Sequence, residues 1–295
     1  MSARPISDGK AAERRLGWWL CAPAALVMLI VAGWPILYSV LLSFQRFDLR
    51  FPDDKAWIGF DNYQAVLSSE YWWNAFGVTT FIMIVSVAIE LVLGMILAII
   101  MHRTLVGRGL VRTVVLIPYG IVTVVAAYGW RYAWTPGTGW LANLLDESTA
   151  PLTERPSAIA IIILAEVWKT TPFMALLLLA GLTVVPEELL RAASIDGASK
   201  WQSFVRITLP LIRPAILVAL LFRMLDAFRI YDNIYVLTNG GQDTSSVSIL
   251  TYHNLIGGLN LGIGSTMSVL IFLTVALIAF IFIKVLGTST PGSDK

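Results

Sequence analysis

Six stretches of this chain, at about 16–44, 75–101, 113–134, 158–184, 215–238 and 265–286, stay apolar for as long as a bilayer-crossing helix requires. Hydrocarbon offers no water to backbone N–H and C=O groups, so such a stretch must satisfy them within itself, as a helix does. The pattern predicts an all-α integral membrane protein with six transmembrane helices occupying 16–286, between polar tails at 1–15 and 287–295. Composition agrees, with 57% hydrophobic and only 14% charged residues, against about a quarter charged in soluble domains. The lipid bilayer is thus the first partner. A net charge of +2 is too small to point to nucleic acid. Cys21 is the only cysteine, which rules out an internal disulfide. Trp19-Leu20-Cys21-Ala22 lacks the small residues expected before a lipidated cysteine.

The distribution of Lys and Arg orients the spans. With the N-terminus inside, thirteen of the 21 basic residues fall in cytoplasmic segments and four (Arg46, Arg50, Lys55 and Arg155) outside. The other four lie within spans. Both termini are then cytoplasmic, and so is the segment between the fourth and fifth spans. The first stretch is too long for a cleaved signal peptide and lacks a clear cleavage site, so it reads as a permanent helix behind a loose tail.

The one sizeable amphipathic segment runs from Pro186 to Pro214. Pro186 suits the first position of a helix and Glu187 and Glu188 its positive end. Leu189, Leu190 and Ala193 recur at helical spacing, and Gly197 stands where a left-handed turn can stop the helix. Ser199 to Gln202 reads as a capping box opening a second short helix with Trp201, Phe204 and Val205, closed by Pro210 and Pro214. The expectation is helix, glycine turn, helix, outside the bilayer.

Ionisable groups inside spans are costly and face a partner or a wet cavity. The fifth stretch holds most of them. Arg223, Asp226, Arg229 and Asp232 follow one another at three-residue spacing, so neighbours of opposite sign can meet on a helix. With Tyr231 and Asn233 they either fix packing or border a polar path. In the fourth stretch Glu166 and Lys169 are spaced to pair, ahead of Pro172. In the third, Tyr119 is open to either reading, while Trp130 and Trp134 read as an interfacial belt. No nucleotide-binding G-x-x-x-x-G-K-[ST] run occurs, nor any H-E-x-x-H, and His102 and His253 fall in loops on opposite sides. The chain is expected to have no catalytic residues, no metal site and no cofactor of its own.

The segment around Gly197 resembles the cytoplasmic coupling loop of bacterial ABC importer permeases, with Ala192, Ala193, Asp196, Gly197, Ala198, Phe204, Leu209 and Pro210 fitting that pattern. Arg191 stands where the family usually has glutamate. Trp57-Ile58-Gly59-Phe60-Asp61-Asn62-Tyr63, the W-x-x-x-P-F of Trp168 to Phe173, and Val236-Leu237-Thr238-Asn239-Gly240-Gly241 are similar to runs in the carbohydrate-uptake class. The resemblance implies the ABC importer permease fold in a bacterial inner membrane. Its implied partners are a second homologous permease, two ATPase subunits that bind ATP and Mg, and an extracytoplasmic sugar-binding protein. The cargo would be a disaccharide such as trehalose, with glycerol phosphate or a polyol as the alternative. Arg191, Ala192, Ala193, Asp196, Gly197, Ala198, Trp201 and Phe204 would meet the ATPase. Tyr119, Glu166, Lys169, Asp226, Arg229, Tyr231, Asp232 and Asn233 would border the substrate path. A secondary transporter would show inverted repeats, which are not seen, and a membrane scaffold would need no polar path.

Overall fold

The computed structural model describes residues 8–103, 107–145 and 150–288, and the chain is helical almost throughout. In order come α1 (Asp8–Met28), α2 (Trp34–Ser43), the two-residue strands β1 (Gln45–Arg46) and β2 (Ala56–Trp57), α3 (Asp61–Leu67), α4 (Glu70–Arg103), α5 (Arg108–Gly120), α6 (Thr123–Ala133) and α7 (Trp140–Leu145). Then follow α8 (Arg155–Leu182), α9 (Glu187–Ile195), α10 (Lys200–Ser203), α11 (Leu209–Leu211), α12 (Arg213–Ala227), α13 (Asp232–Leu237), α14 (Val247–Tyr252) and α15 (Leu261–Thr288). Among the described residues, four runs are long and apolar enough to cross a bilayer, or six if two bent helix pairs each count as one. Most of the expected C-terminal tail and the first seven residues lie outside the described residues. The N-terminal helix reaches back to Asp8, where a loose tail was expected.

The chain divides into two compact units. The first holds residues up to Val66 together with Asn254–Val269. Here the end of α2 is held by side chains: the Ser43 carbonyl accepts from Asn62 Nδ2 at 2.9 Å and from Thr266 Oγ1 at 3.2 Å. Helix C-termini leave carbonyls unpaired, and Asn62 closes this one while also reaching the Gln45 carbonyl at 2.9 Å. Phe44 sits among Trp57, Phe60 and Tyr63, with ring centroids 5.2–5.6 Å apart. The aromatic run at 57–63 is therefore a clasp around the end of the first span.

The second unit covers Leu67–His253 and the remainder of α15. Its centre is α8, the most buried of the long apolar helices among the described residues. Helix α8 lies closely along α4; a side chain on Gly94 would come within 2.8 Å of Met174, so only glycine permits this approach. Val78 and Ile82 of α4, Ile161 and Ile162 of α8, Ile234 of α13 and Ile249 of α14 form one buried cluster.

Prolines shape the spans without ending them. A wide π turn at Leu29–Gly33 precedes Pro35, and another at Phe204–Thr208 precedes Pro210. Each holds the residue four before its proline, so the extra width makes room for the ring against that carbonyl. Pro210 consequently does not close the amphipathic segment, as its position predicted. The chain turns instead at Ile212, where Lys200–Leu211 meets Arg213–Ala227 at 67°. Ile212 is 2% exposed and lies over Gly181 of α8, whose missing side chain leaves room for Ala215 as well. The third expected span is likewise bent, by 85° between α5 and α6, just after Pro118 and Gly120.

Candidate functional site

Two features of the second unit stand out, and α8 and α12 join them. The first is the segment between these helices. Helix α9 ends at Ile195, Asp196 is its C-cap, and Gly197 follows with φ +81°. The Gly197 N–H donates to the Ser194 carbonyl at 3.2 Å and the Ala198 N–H to that of Ala193 at 2.9 Å, the double bond of a glycine-stopped helix. Ser199 and Gln202 then make both bonds of a capping box, at 2.8 and 3.2 Å. The helix–glycine–helix expectation thus has its physical cause in two adjacent caps. Ala193 is buried, but Ala192, Asp196 and Gly197 are exposed, and Ile195 and Trp201 are 86% and 71% exposed. Trp201 and Phe204 stack loosely, 5.8 Å between centroids. Arg191 pairs with Glu187 one turn away at 2.8 Å, both side chains in solvent. Pro186 sits one position before the helix, as its cap.

The second feature is a cavity of about 280 Å³ lined by Tyr119, Glu166, Lys169, Asp226, Arg229, Tyr231, Asp232 and Asn233, together with Thr123, Thr170 and Ile230. All eight residues singled out for a polar path meet here. Behind the cavity lies a buried ion cluster. Arg223, 1% exposed, forks onto Glu90 through Nε at 2.6 Å and Nη2 at 3.0 Å, and reaches Glu166 at 3.3 Å. Its remaining nitrogen bonds Asp226, whose side chain is 64% exposed. Thr170 donates to Glu90 at 2.8 Å and Asn233 to Glu166 at 2.5 Å. Helices α4, α8, α12 and α13 each contribute a member. One guanidinium therefore compensates two carboxylates removed from water, and its planar fork is what lets it serve both.

The spacing-based pairs fare unevenly. Arg223 and Asp226 do meet. Glu166 does not pair with Lys169, because Arg223 and Asn233 take its two oxygens. Lys169 instead donates to the Ile121 carbonyl at 2.7 Å, a group freed where α5 breaks from α6. Its ammonium also lies 5.8 Å from the Tyr119 ring, which stacks on Phe173 at 5.4 Å. Arg229 pairs with neither Asp226 nor Asp232 but donates to the Leu225 carbonyl at 3.2 Å. The fifth span is not one helix: α12 stops at Ala227, so residues three apart beyond it no longer share a face. Trp130 and Trp134, expected in an interfacial belt, are partly buried against the apolar cluster of α4 and α8, Trp130 edge-on to Trp168 at 6.0 Å.

Glu90 escaped the sequence reading, although an acid in the middle of an apolar stretch is itself the signal for a buried partner. Nor does the sequence reading include Tyr235 and Tyr252: Tyr235 stacks on Tyr231 at 5.3 Å beside the cavity, and Tyr252 meets both rings edge-on at 5.4 and 5.6 Å.

Comparison with known proteins places these features in context. Residues 90–290 match the family described as the binding-protein-dependent transport system inner membrane component. The chain is 61% identical over 288 residues to the trehalose transport system permease protein SugA of Mycobacterium tuberculosis, covering 98% of this chain and 94% of that one. It is 41% identical over 285 residues to the trehalose/maltose transport system permease protein MalF of Thermococcus litoralis, covering 94% and 95%. Among solved structures, a bacterial ABC transporter involved in importing the acidic polysaccharide alginate shares the fold with a TM-score of 0.80, at 24% identity over 95% of this chain and 98% of that one.

Proposed function

Because this chain belongs to the inner membrane components of binding-protein-dependent transport systems, we propose that it is one permease half of an ATP-driven importer for a disaccharide, trehalose foremost. A second permease completes the path, two ATPase subunits carry ATP and Mg, and an extracytoplasmic binding protein delivers the sugar. The ATPase subunits supply the catalysis, and this chain transmits it.

One observation carries the reading. The exposed caps around Gly197 are continuous with α8 and α12, and those same two helices hold Glu166 at the cavity and Arg223 behind it. The exposed Trp201 ring and Ile195, backed by the half-buried Phe204 ring, present an apolar face that suits a groove on an ATPase subunit, as in helix-in-groove recognition. Closing the ATPase pair on ATP then moves a capped, stiff segment. Since each state must bind the segment differently, the closure biases α8 and α12 between inward-facing and outward-facing arrangements. The excess of Lys and Arg at this end supports a cytoplasmic location for it and for both termini.

The cavity suits a neutral, hydroxyl-rich cargo. Carboxylates accept from hydroxyls, Lys169, Arg229 and Asn233 donate to them, and the Tyr119 and Tyr231 rings offer flat apolar faces. The relatives at 61% and 41% identity narrow the choice to trehalose-type disaccharides. The test is to purify the assembled complex in mild detergent with its binding protein and measure ATPase activity across a panel of disaccharides. Stimulation should be strongest with trehalose. An assembled complex whose ATPase no sugar stimulates would overturn the proposal.

A further inference from the structure

The amphipathic segment covers a second cavity, of about 300 Å³, between its inner face and the last turn of α4. Arg103 and His102 line it from α4, and Lys200 from α10. Ser203 and Thr208 add hydroxyls, while Leu190 and Phe204 form apolar walls. Glu187, the one carboxylate on the lining among the described residues, is already matched by Arg191 at 2.8 Å, which leaves the lining with an excess of positive charge. Among the described residues α4 is one of four uninterrupted spans; its 34 residues, about 51 Å, outreach a roughly 30 Å hydrocarbon core, so its basic last turn can extend to the head groups. Val184, next to the cavity's Thr183 and Val185, is 79% exposed, so the apolar surface continues outward from the cavity. Basic residues, hydroxyls and an apolar wall at the end of a span together match the head of an anionic lipid.

We propose that this cavity binds a phosphate-bearing anion, as a lipid head group or as free phosphate, and that the anion ties the end of α4 to the amphipathic segment. The site is separate from the substrate cavity, shares no lining residue with it, and its ligand chemistry is independent of which sugar is carried. The anion would neutralise Arg103 and Lys200 together. It would thereby hold two elements that otherwise present like charges to one space.

The assembled importer is placed in lipid discs of phosphatidylcholine alone, of phosphatidylcholine with phosphatidylglycerol, and of phosphatidylcholine with inorganic phosphate in the buffer. The thermal midpoint is read in each, with native mass spectrometry counting retained lipid. Phosphatidylglycerol or phosphate should raise the midpoint, and Arg103→Gln and Lys200→Gln should each remove at least half of the rise. A rise confined to phosphatidylglycerol identifies a lipid site, and a rise with phosphate a free-anion site. Arg103 lies outside the segment that meets the ATPase, so its variant separates loss of the anion from weakened docking, and Arg103→Lys should restore the rise. No rise with either anion, or a rise undiminished in both glutamine variants, would overturn the proposal.

Discussion

Arg223 is the residue on which the second unit's electrostatics depend. Glu90 and Glu166 are 0% and 7% exposed, and no other cation bonds either of them among the described residues. Removing one partner of a buried ion pair typically costs about 3–5 kcal/mol, because the remaining charge is left unmatched. Arg223→Met should therefore lower the thermal midpoint of the purified complex sharply or prevent its assembly, as size-exclusion chromatography would report. Arg223→Lys keeps the charge but loses the fork, and should fall between the two. Glu90 explains why only part of this cluster is legible in the sequence. Arg223 and Asp226 announce themselves by their spacing, whereas Glu90 stands in an apolar run with no charged neighbour on its own helix. Its partner is 133 positions away, and only the packing of α4 against α12 brings the two together. Lys169 fails for the opposite reason: Glu166 is close in sequence, but a broken helix nearby offers it a carbonyl.

At the scale of elements, the capped segment around Gly197 is a rigid unit with an unfilled surface. A side chain on Gly197 would meet nothing within 4 Å, so the cost of Gly197→Val is backbone strain alone, about 1–2 kcal/mol for a left-handed residue. The expected outcome is a folded chain whose ATPase responds poorly to sugar, measured as ATP hydrolysed per sugar imported. If both assembly and that ratio stay normal, the segment does not couple. Trp201→Ala probes the same surface differently. The ring is 71% exposed within this chain, so the chain's own stability should barely change. Burial of such a ring at an interface typically accounts for about 2 kcal/mol or more, so retention of the ATPase through detergent purification should fall at least tenfold. The Arg191–Glu187 pair is too exposed to matter to stability. Both caps were readable in advance because each depends on residues within a turn of one another. The corner at Ile212 was not, since it depends on a wide turn and on a glycine in α8.

At the scale of the molecule, the features that depend on α8 and α12 draw together. Helix α12 has 15 residues, about 22 Å, which is short of a roughly 30 Å hydrocarbon core. The short helix α13 beyond it, not a longer α12, closes the cavity. Trp201 and Arg223 stand equally far from Ile212 along the chain, eleven positions on either side. With Ile212 seated on Gly181, the proposed coupling would make the corner a bell crank of nearly equal arms. A displacement of the Trp201 arm would then reach Arg223 with a mechanical gain near one. A shift of a few ångströms exceeds what bonds of 2.6–3.3 Å can absorb, so the ion cluster would either travel with α12 or let go of both α4 and α8. Gly181→Leu would drive a side chain into the fulcrum, since even a single carbon there would come within 2.6 Å of Ala215. The crank should then jam, leaving an assembled complex that binds ATP, while transport assays in vesicles show the stroke no longer reaching the cargo.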